Sequence, residues 1–316
     1  MPADLSIVIP AFNEEKHIAN CINSLKQYIP DKFSYEVIVI DNGSTDKTTS
    51  ILEEMEVQYL IIPSVNVSEL RNIGIKETQG KYIVFLDADV CITPEWNENI
   101  EKTIDYLSQH PNTITGSKCG LSDSNSLLEN YWFGPLLSKS SSYVNSGHLI
   151  TTRELMIRLD GFSTALTTGE DFDLSVRAKK IGAEIRNNPN LKVIHYGYPS
   201  NIKHFMLREI WHGIGDAHTI NTYVKSKVAI VSSVFLLLHL SLIIILSLGS
   251  DISSKLLVPA LVLTIATIPL SASIARYASF GIKYIIFNSF IFYLYFTSRA
   301  ISLFIPAKTK LSRSSK

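Results

Sequence analysis

Short apolar runs alternate with amphipathic stretches through roughly the first 90 residues of the chain. The apolar runs have the length and composition of buried strands, and the apolar positions between them recur at helical spacing. Strands are predicted at Leu5–Pro10, Tyr35–Ile40, Val57–Ile62 and Lys81–Val90. One helix is predicted to begin near residue 18, a second to end at about residue 55 and a third to span residues 67–78. This order predicts an α/β domain with a doubly wound parallel sheet and right-handed crossovers.

The pattern loosens between residues 112 and 200. Strands are predicted at 113–117, 143–151, 183–187 and 191–196, with a helix at 153–159 and another that is opened by Thr168–Ser175 and runs to Gly182. The stretch 118–144 is mostly polar, and we expect Trp132 and Phe133 to be buried within it. It is the part of the chain for which the sequence predicts least.

Residues 201–225 repeat apolar positions every three to seven residues, which predicts an amphipathic helix, with a break at Gly213 or Gly215. This helix either lies at a membrane interface or packs on the globular domain. Three longer apolar segments follow and are each long enough to cross a bilayer: Val228–Gly249, Leu256–Ala275 and Tyr284–Ile305. We expect two or three transmembrane helices in residues 226–306, with the aromatic third segment embedded in the membrane, and a basic tail at 307–316.

Composition separates a soluble part from a membrane part. The formal net charge is zero, so nothing in it points to nucleic acid as a partner. Nearly all acidic residues lie in the first 225 or so residues, whereas residues 228–305 are almost uncharged. The three cysteines, Cys21, Cys91 and Cys119, are too far apart for a zinc or redox motif and are expected to be free thiols. The start of the chain lacks a signal-peptide pattern, so the soluble domain is expected in the cytosol. The apolar segments predict a multi-pass membrane protein.

Two carboxylates end the fourth predicted strand. Asp87 and Asp89 follow the run Ile-Val-Phe-Leu, and residues i and i+2 of a strand face the same side. Both are therefore expected to face a cleft at the carboxyl edge of the sheet, where α/β proteins bind ligands. A divalent cation such as Mg²⁺ or Mn²⁺, carrying a phosphate-bearing substrate, fits two close carboxylates. A merely turn-capping role does not explain two carboxylates after so apolar a run.

Four motifs in order carry a family resemblance. They are Ile-Val-Ile-Pro-Ala-Phe-Asn-Glu-Glu ending at Glu15, Val-Ile-Asp-Asn-Gly-Ser-Thr-Asp ending at Asp46, Arg71-Asn72 with Gly74, and Phe-Leu-Asp-Ala-Asp ending at Asp89. Together they resemble the nucleotide-sugar half of the family 2 glycosyltransferases, similar to membrane-anchored enzymes of bacterial envelope-polysaccharide or lipid-linked-sugar synthesis. The resemblance implies a GT-A-type, Rossmann-like domain over residues 1–200, with a nucleotide-sugar half at 1–117 and an acceptor half at 118–200.

The donor side is predicted at the ends of the first two strands. Asp41 is suited to accept a hydrogen bond from the nucleobase, although a turn-forming carboxylate is the simpler interpretation outside this set of motifs. Pro10, Ala11, Asn13 and Glu14 are expected to line the base and ribose.

Roles then divide among the charged residues near the diphosphate. Direct ligation of one Mg²⁺ by both aspartates is disfavoured because two strand steps separate them by roughly 6.5 Å. Asp89 is therefore assigned to the metal and Asp87 to the ribose or a metal-bound water, and the resemblance implies the same division. Arg71 is expected to contact the diphosphate, unless it is a helix-surface arginine. His195, at a strand end, is a further candidate ligand, although a lone histidine there is more often structural.

The acceptor side is predicted at Thr168-Gly-Glu-Asp171, just before a helix. Its Glu170-Asp171 pair resembles the acceptor-side motif of the same family, which implies Asp171 as general base and an inverting reaction. The helix dipole would weaken Asp171 as a base, whereas Glu170 and burial would strengthen it. A helix-capping acid is the structural alternative.

Three functions remain open. The first is transfer of a sugar from a nucleoside-diphosphate-sugar to a lipid-linked or glycan acceptor at the cytosolic membrane face. The second is a polyprenyl-phosphate glycosyltransferase, whose phosphate acceptor needs no strong base. The third is a non-catalytic nucleotide-sugar-binding subunit of a polymer-synthesis complex, a function that would tolerate loss of the carboxylates that this sequence retains.

Overall fold

The computed structural model describes residues 3–139, 141–166, 168–216, 220–248 and 252–305. As far as it is described, the chain forms two compact units. The first comprises Met1–Ser124 and Leu137–Tyr198, and the second comprises Asn125–Leu136 and Pro199–Lys316. The chain thus leaves the first unit for twelve residues inside the segment that the sequence assigns to the acceptor half. The predicted basic tail lies outside the described residues.

The first unit contains ten strands, six complete helices and the last residue of a seventh within the described residues. In chain order they are β1 (Leu5–Ala11), α1 (Ile18–Tyr28), β2 (Tyr35–Asp41), α2 (Thr48–Glu54), β3 (Gln58–Ile61), α3 (Val67–Glu77), β4 (Tyr82–Leu86), β5 (Val90–Ile92), α4 (Pro94–Gln109), β6 (Thr113–Gly116), β7 (Cys119–Leu121), α5 (Gly134–Leu137, of which only the last residue belongs to this unit), β8 (His148–Thr152), α6 (Arg153–Arg158), α7 (Glu170–Lys180), β9 (Glu184–Asn187) and β10 (Val193–His195). The predicted strands and helices of the first 90 residues are confirmed.

The main sheet is mixed as a whole, and the parallel arrangement predicted for the four strands of the first 90 residues is confirmed within it. Its order is β3-β2-β1-β4-β8-β6-β9. Strands β3, β2, β1 and β4 are parallel, as the helical crossovers between them require, whereas β8 runs antiparallel to both β4 and β6. The chain between β6 and β8 passes through the second unit instead of forming a helical crossover, so β8 can enter the sheet in the opposite direction.

A second sheet has three strands in the order β5-β10-β7. Its strand β5 is the element that follows β4 in the chain. Strand β10 pairs antiparallel with β5, and the register sets His195 opposite Val90. His195 is thereby brought beside the residue that follows Asp89. The pairing of two short strands therefore joins positions more than 100 residues apart.

Both faces of the main sheet are buried. Ile7, Ile9 and Val84 belong to one apolar cluster, while Val8 and Phe85 belong to a second one. Two buried faces explain why these strands read as continuous apolar runs. The helix α3 packs so closely on the second face that a Cβ on Gly74 would lie 2.2 Å from Val8 Cγ1, so a larger side chain there would displace the helix.

The second unit is helical. Its helices are α8 (Ile202–Asp216), α9 (Ile220–Lys225), α10 (Lys227–Leu248), α11 (Ile252–Tyr277) and α12 (Ile282–Ser302), with a short 3-10 helix at Ala278–Phe280. The predicted break at Gly213 or Gly215 is wrong, since α8 continues through both glycines. Gly213 is needed for packing, because a Cβ there would lie 2.1 Å from Ser302 Oγ.

Two described helical stretches are long and apolar enough to cross a membrane by length and composition, Lys227–Leu248 and Leu256–Phe280. The third predicted apolar segment corresponds to α12, which packs against α8, α10 and α11. Its buried positions include Phe292, Phe296 and Ser298. Burial of one face explains the aromatic and polar residues that set this segment apart in the sequence.

The segment Asn125–Leu136 is packed among these helices. It contains a π-helix, Glu129–Phe133, in which Trp132 and Phe133 are buried, as predicted. The Tyr277 hydroxyl donates to Trp132 O at 2.8 Å, and Asn288 Nδ2 donates to Tyr131 O at 2.8 Å. These bonds satisfy backbone carbonyls of the π-helix.

Candidate active site

The loops after β1 and β2 are joined by the predicted donor-side residues. Pro10 and Ala11 are buried at the end of β1, and Glu14 is 9% exposed. Asn13, which has a φ of 55°, accepts a hydrogen bond from Thr45 N at its Oδ1 (2.8 Å). The amide side chain of Asn13 therefore fixes the second loop against the first.

Asp41 is fully buried at the end of β2. Its Oδ1 accepts hydrogen bonds from Gly43 N at 2.9 Å and Ser44 N at 2.7 Å, and the Ser44 hydroxyl donates to its Oδ2. In the structure Asp41 is thus a turn-forming residue, the simpler of the two sequence interpretations. Its contact with a nucleobase stays a prediction.

Asp87 and Asp89 lie in the turn between β4 and β5, beyond the end of the strand at Leu86. The turn is closed by a hydrogen bond from Val90 N to Asp87 O at 3.0 Å. The expectation that both carboxylates lie on a single strand is therefore wrong, and their facing one cleft stays a prediction. The two have different partners, since Asp87 contacts Arg71 and Asp89 contacts His195.

Arg71 connects the donor and acceptor motifs. Its Nη2 lies 2.8 Å from Asp87 Oδ1 and its Nη1 lies 2.9 Å from Glu170 Oε1, while the side chain is only 2% exposed. The guanidinium also lies over the Phe162 ring, 5.4 Å from its centroid. Both terminal nitrogens of this enclosed side chain contact carboxylates in the structure, and a contact of Arg71 with a diphosphate stays a prediction. Arg71 holds Asp87 and Glu170 in fixed positions.

The neighbouring Asn72 explains the rest of that motif. Its Oδ1 accepts from Phe162 N and its Nδ2 donates to Phe162 O, both at 2.8 Å. A Cβ on Gly161 would lie 2.3 Å from Asn72 Oδ1, and Gly161 has a φ of 64°. The Asp-Gly-Phe turn is thereby tied to α3, and this turn precedes the loop that leads to Glu170.

Glu170 and Asp171 begin α7 after Gly169, whose φ is 80°. Burial alone would raise the pKa of Glu170, but the charge of Arg71 and hydrogen bonds, one of them from Ser146 Oγ at 3.1 Å, outweigh it and lower that pKa. Glu170 is therefore ionised. Burial, together with the Glu170 charge, raises the pKa of Asp171 to about 6. Of the two predicted catalytic carboxylates, Asp171 is the one suited to accept a proton near neutral pH.

Sequence reasoning missed the segment before β8. Gly147 O accepts a hydrogen bond from Asp87 N at 3.1 Å, and a Cβ on Gly147 would lie 2.9 Å from Asp87 Oδ2. Ser146 contacts Glu170, as described above. In the sequence, Asn145-Ser-Gly147 is an ordinary turn signal, and only its pairing with β4 brings it to the site.

His148 supports this segment from within the core. Its Nε2 accepts a hydrogen bond from Trp96 Nε1 at 3.0 Å, and its Nδ1 lies 3.2 Å from Ser117 N and 2.9 Å from Ser117 Oγ. Burial lowers the pKa of His148 to about 3, which keeps the ring neutral. The hydrogen bonds of this ring therefore hold the start of β8, directly after Gly147, in place.

The predicted metal ligands come together only in part. His195 Nε2 lies 3.3 Å from Asp89 Oδ1, and Asp89 is 2% exposed. Asp87, in contrast, uses Oδ1 for Arg71. Within the described residues no three His, Cys, Asp or Glu side chains are grouped as a metal centre would require. An oxygen and an imidazole nitrogen nevertheless suit Mn²⁺, which can take its other ligands from phosphate and water.

All three cysteines are free and buried, as predicted. Burial raises the pKa of Cys91 to about 11, so this thiol stays protonated at neutral pH. None of them has the lowered pKa of a reactive thiol.

Comparison with known proteins gives a family match for part of the chain. Residues 6–132 match the model described as Glycosyl transferase family 2. The chain is 26% identical over 230 residues to the dolichyl N-acetyl-alpha-D-glucosaminyl phosphate 3-beta-D-2,3-diacetamido-2,3-dideoxy-beta-D-glucuronosyltransferase of Methanococcus voltae, covering 66% of this chain and 71% of that one. It is 32% identical over 115 residues to the Staphylococcus aureus poly(ribitol-phosphate) beta-N-acetylglucosaminyltransferase TarS, which is 34% of this chain but 20% of TarS.

Among solved structures, the mannosyltransferase PcManGT from Pyrobaculum calidifontis, in complex with GDP-Man and Mn²⁺, has a TM-score of 0.56 at 15% identity. The likeness covers 96% of this chain and 87% of PcManGT, and at that identity it shows the fold alone. Residues 6–132 therefore form a glycosyltransferase family 2 domain, and the chain has a GT-A fold.

Proposed function

We propose that the protein is an inverting glycosyltransferase, which moves a sugar from a nucleoside-diphosphate-sugar to a hydroxyl of a lipid-linked or glycan acceptor. The observation that carries this proposal is the Asp171 carboxylate, whose pKa is raised to about 6 beside an ionised Glu170. A base with this pKa is mostly deprotonated at neutral pH and still accepts a proton effectively. Neither a phosphate acceptor nor a passive binding subunit needs such a group.

The reaction follows from these positions. Asp171 takes the proton of the acceptor hydroxyl while that oxygen forms a bond to the anomeric carbon. The bond from the anomeric carbon to the diphosphate oxygen breaks, and the nucleoside diphosphate leaves with the electron pair. Because attack and departure occur on opposite faces, the configuration inverts. Arg71 keeps Glu170 ionised and Asp87 in place, so it acts as a positioning residue.

Asp89 and His195 would hold a Mn²⁺ or Mg²⁺ ion, with Asp87 near the ribose or a metal-bound water. Such an ion supplies positive charge that stabilises the departing diphosphate. The 3.3 Å separation of Asp89 Oδ1 and His195 Nε2 supports the pairing of these two ligands.

We place the acceptor at the cytosolic face of a membrane. The two long apolar stretches in α10 and α11 support a multi-pass arrangement in which α12 remains among the other helices. A lipid-linked acceptor stays in the bilayer, so an enzyme anchored there meets it readily. The name of the Methanococcus voltae relative refers to a dolichyl-linked sugar phosphate, which also supports this class of acceptor.

The test uses the full-length protein in nanodiscs with Mn²⁺ and radiolabelled UDP-N-acetylglucosamine, UDP-glucose or GDP-mannose. Each donor is offered to polyprenyl-diphosphate-linked N-acetylglucosamine and to bare polyprenyl phosphate. We expect transfer to the saccharide with inversion, and its loss in Asp171→Asn. Preference for bare polyprenyl phosphate would favour the second function. Donor binding without transfer to either acceptor would favour the non-catalytic subunit.

A further inference from the structure

An exposed aromatic ring directly follows the proposed base. Phe172 is 53% exposed, the highest value for an aromatic residue among the described residues of the first unit. Its backbone N–H donates to Asp171 Oδ1 at 2.7 Å, so the ring and the base are fixed to the same helical turn. An exposed apolar ring on the same helical turn as the proposed base is placed to contact a ligand that reaches this carboxylate.

Tyr143 adds a second ring. Its centroid lies 5.9 Å from that of Phe172, with an interplanar angle of 85°. Burial raises the pKa of Tyr143, and the charges of Asp171 and Glu170 raise it further, which shows that the ring lies near both carboxylates. The two rings therefore form an aromatic corner at the acceptor side of the site.

The Tyr143 side of this corner is rigidly held. Lys179 Nζ donates to Ser142 O at 2.7 Å, and Asn187 Nδ2 donates to Ser141 O at 3.0 Å and to Tyr143 O at 3.3 Å. These bonds tie the backbone of residues 141–143 to α7, which also bears Asp171 and Phe172, and to β9. The backbone of Tyr143 is therefore held at a fixed position relative to the helix that bears Asp171 and Phe172.

We propose that Phe172 and Tyr143 bind the sugar ring of the acceptor, so that the acceptor is a saccharide at its reacting end. A pyranose presents a face of C–H groups that packs on an aromatic ring, and its hydroxyls suit the polar end of a tyrosine. Stacking on Phe172 would bring a hydroxyl of the same ring towards Asp171. A bare polyprenyl phosphate offers no such face, and its oxygen is already ionised.

This inference rests on the proposed function and selects among its acceptors. It is tested with Phe172→Ala and Tyr143→Ala, assayed for transfer to polyprenyl-diphosphate-linked N-acetylglucosamine. We expect the acceptor KM to rise about tenfold or more in each variant, with the donor KM unchanged. Phe172→Trp keeps a flat ring and is expected to restore the acceptor KM. Tyr35→Ala, which removes another exposed ring at the start of β2, is the matched control and should behave as wild type.

The outcomes separate the two proposals. Wild-type transfer with an unchanged acceptor KM in Phe172→Ala would overturn the aromatic acceptor site but leave the transferase intact. Equal KM increases for the linked saccharide and for bare polyprenyl phosphate would also overturn it, because the ring would then contact something other than the sugar. Absence of transfer in the wild-type protein would overturn both.

Discussion

Both ends of the parallel strands contain an arginine with carboxylate neighbours, buried at the carboxyl ends and half-buried at the amino ends, but the two arginines bond to different groups. At the amino ends, Arg153 donates to Gly80 O and Ile75 O, at 2.7 and 2.6 Å, and to the Ser6 hydroxyl at 3.0 Å. At the carboxyl ends, Arg71 bonds to two carboxylates instead. Neutral backbone partners satisfy a charge without creating reactive groups, whereas carboxylate partners hold charged groups close together.

The carboxylates differ in the same way. Burial alone would raise the pKa of Glu36. Hydrogen bonds from the backbone amides of Gln79 and Gly80 and from the Ser6 hydroxyl outweigh burial and lower that pKa. At the other edge, Glu170 is ionised by Arg71, and its charge together with burial raises the pKa of Asp171 to about 6. The amino edge therefore stabilises the fold, and the carboxyl edge produces a base.

The largest effect is expected for Asp171→Asn. It removes the proton acceptor, and we expect transfer to fall by about 10³-fold while donor binding persists. Because the folded pKa is raised, the ionised carboxylate costs stability above pH 6 and not below pH 4. The variant should therefore melt at a higher temperature than wild type at pH 8, with little difference at pH 4.

The matched control is Asp173→Asn, in the same helical turn. Asp173 pairs with Arg177 at 2.7 Å and should be dispensable for transfer. Turnover by Asp171→Asn within tenfold of wild type would contradict the assignment.

Next come Arg71→Met and Arg153→Met, which remove one arginine from each edge. Loss of Arg71 leaves two carboxylates close together without their counter-charge, which should cost about 3–5 kcal/mol of stability. Loss of Arg153 removes a donor from the part-buried carbonyls of Gly80 and Ile75, at most about 1–3 kcal/mol each. Thermal melting compares the two losses.

Activity then separates the two edges. Expressed per folded molecule, kcat should fall about a hundredfold in Arg71→Met, because Glu170 and Asp87 are no longer positioned. It should be nearly unchanged in Arg153→Met. Equal kcat losses in both variants would mean that the edges do not differ as described.

A smaller effect concerns the metal. His195→Ala removes one of two proposed ligands, so the Mn²⁺ concentration for half-maximal transfer should rise on the order of tenfold to a hundredfold. The control is His110→Ala, since His110 is exposed and stacks on Tyr106. Full activity of wild type after EDTA treatment would remove the metal from the account.

Much of this fold could be predicted from the sequence, and the reason is local. Continuous apolar runs and the helical spacing between them are set by neighbours along the chain, so β1 to β4 and α1 to α3 were predicted correctly. Motifs at strand ends also report on the site, because the ends of parallel strands meet at one edge.

The remainder depends on contacts between distant positions. Arg71 lies 99 residues from Glu170, and nothing near Arg71 in the sequence distinguishes a bridging arginine from one that binds phosphate. The antiparallel β8 results from a connection that leaves the first unit, and the π-helix of that connection is packed by residues such as Tyr277 and Asn288, about 150 residues further on. The sequence around each of these residues does not indicate which distant residue it contacts.

The most direct test of the central claim is the pH dependence of kcat/KM in the wild type and in Glu170→Gln. The wild type should lose activity as pH falls through about 6, where Asp171 becomes protonated. Removing the Glu170 charge should lower the pKa of Asp171 and move this acid limb to lower pH, although burial keeps part of the shift. Glu36→Gln, at the opposite edge, should leave the limb unchanged. An acid limb at the same pH in Glu170→Gln and wild type would contradict the account.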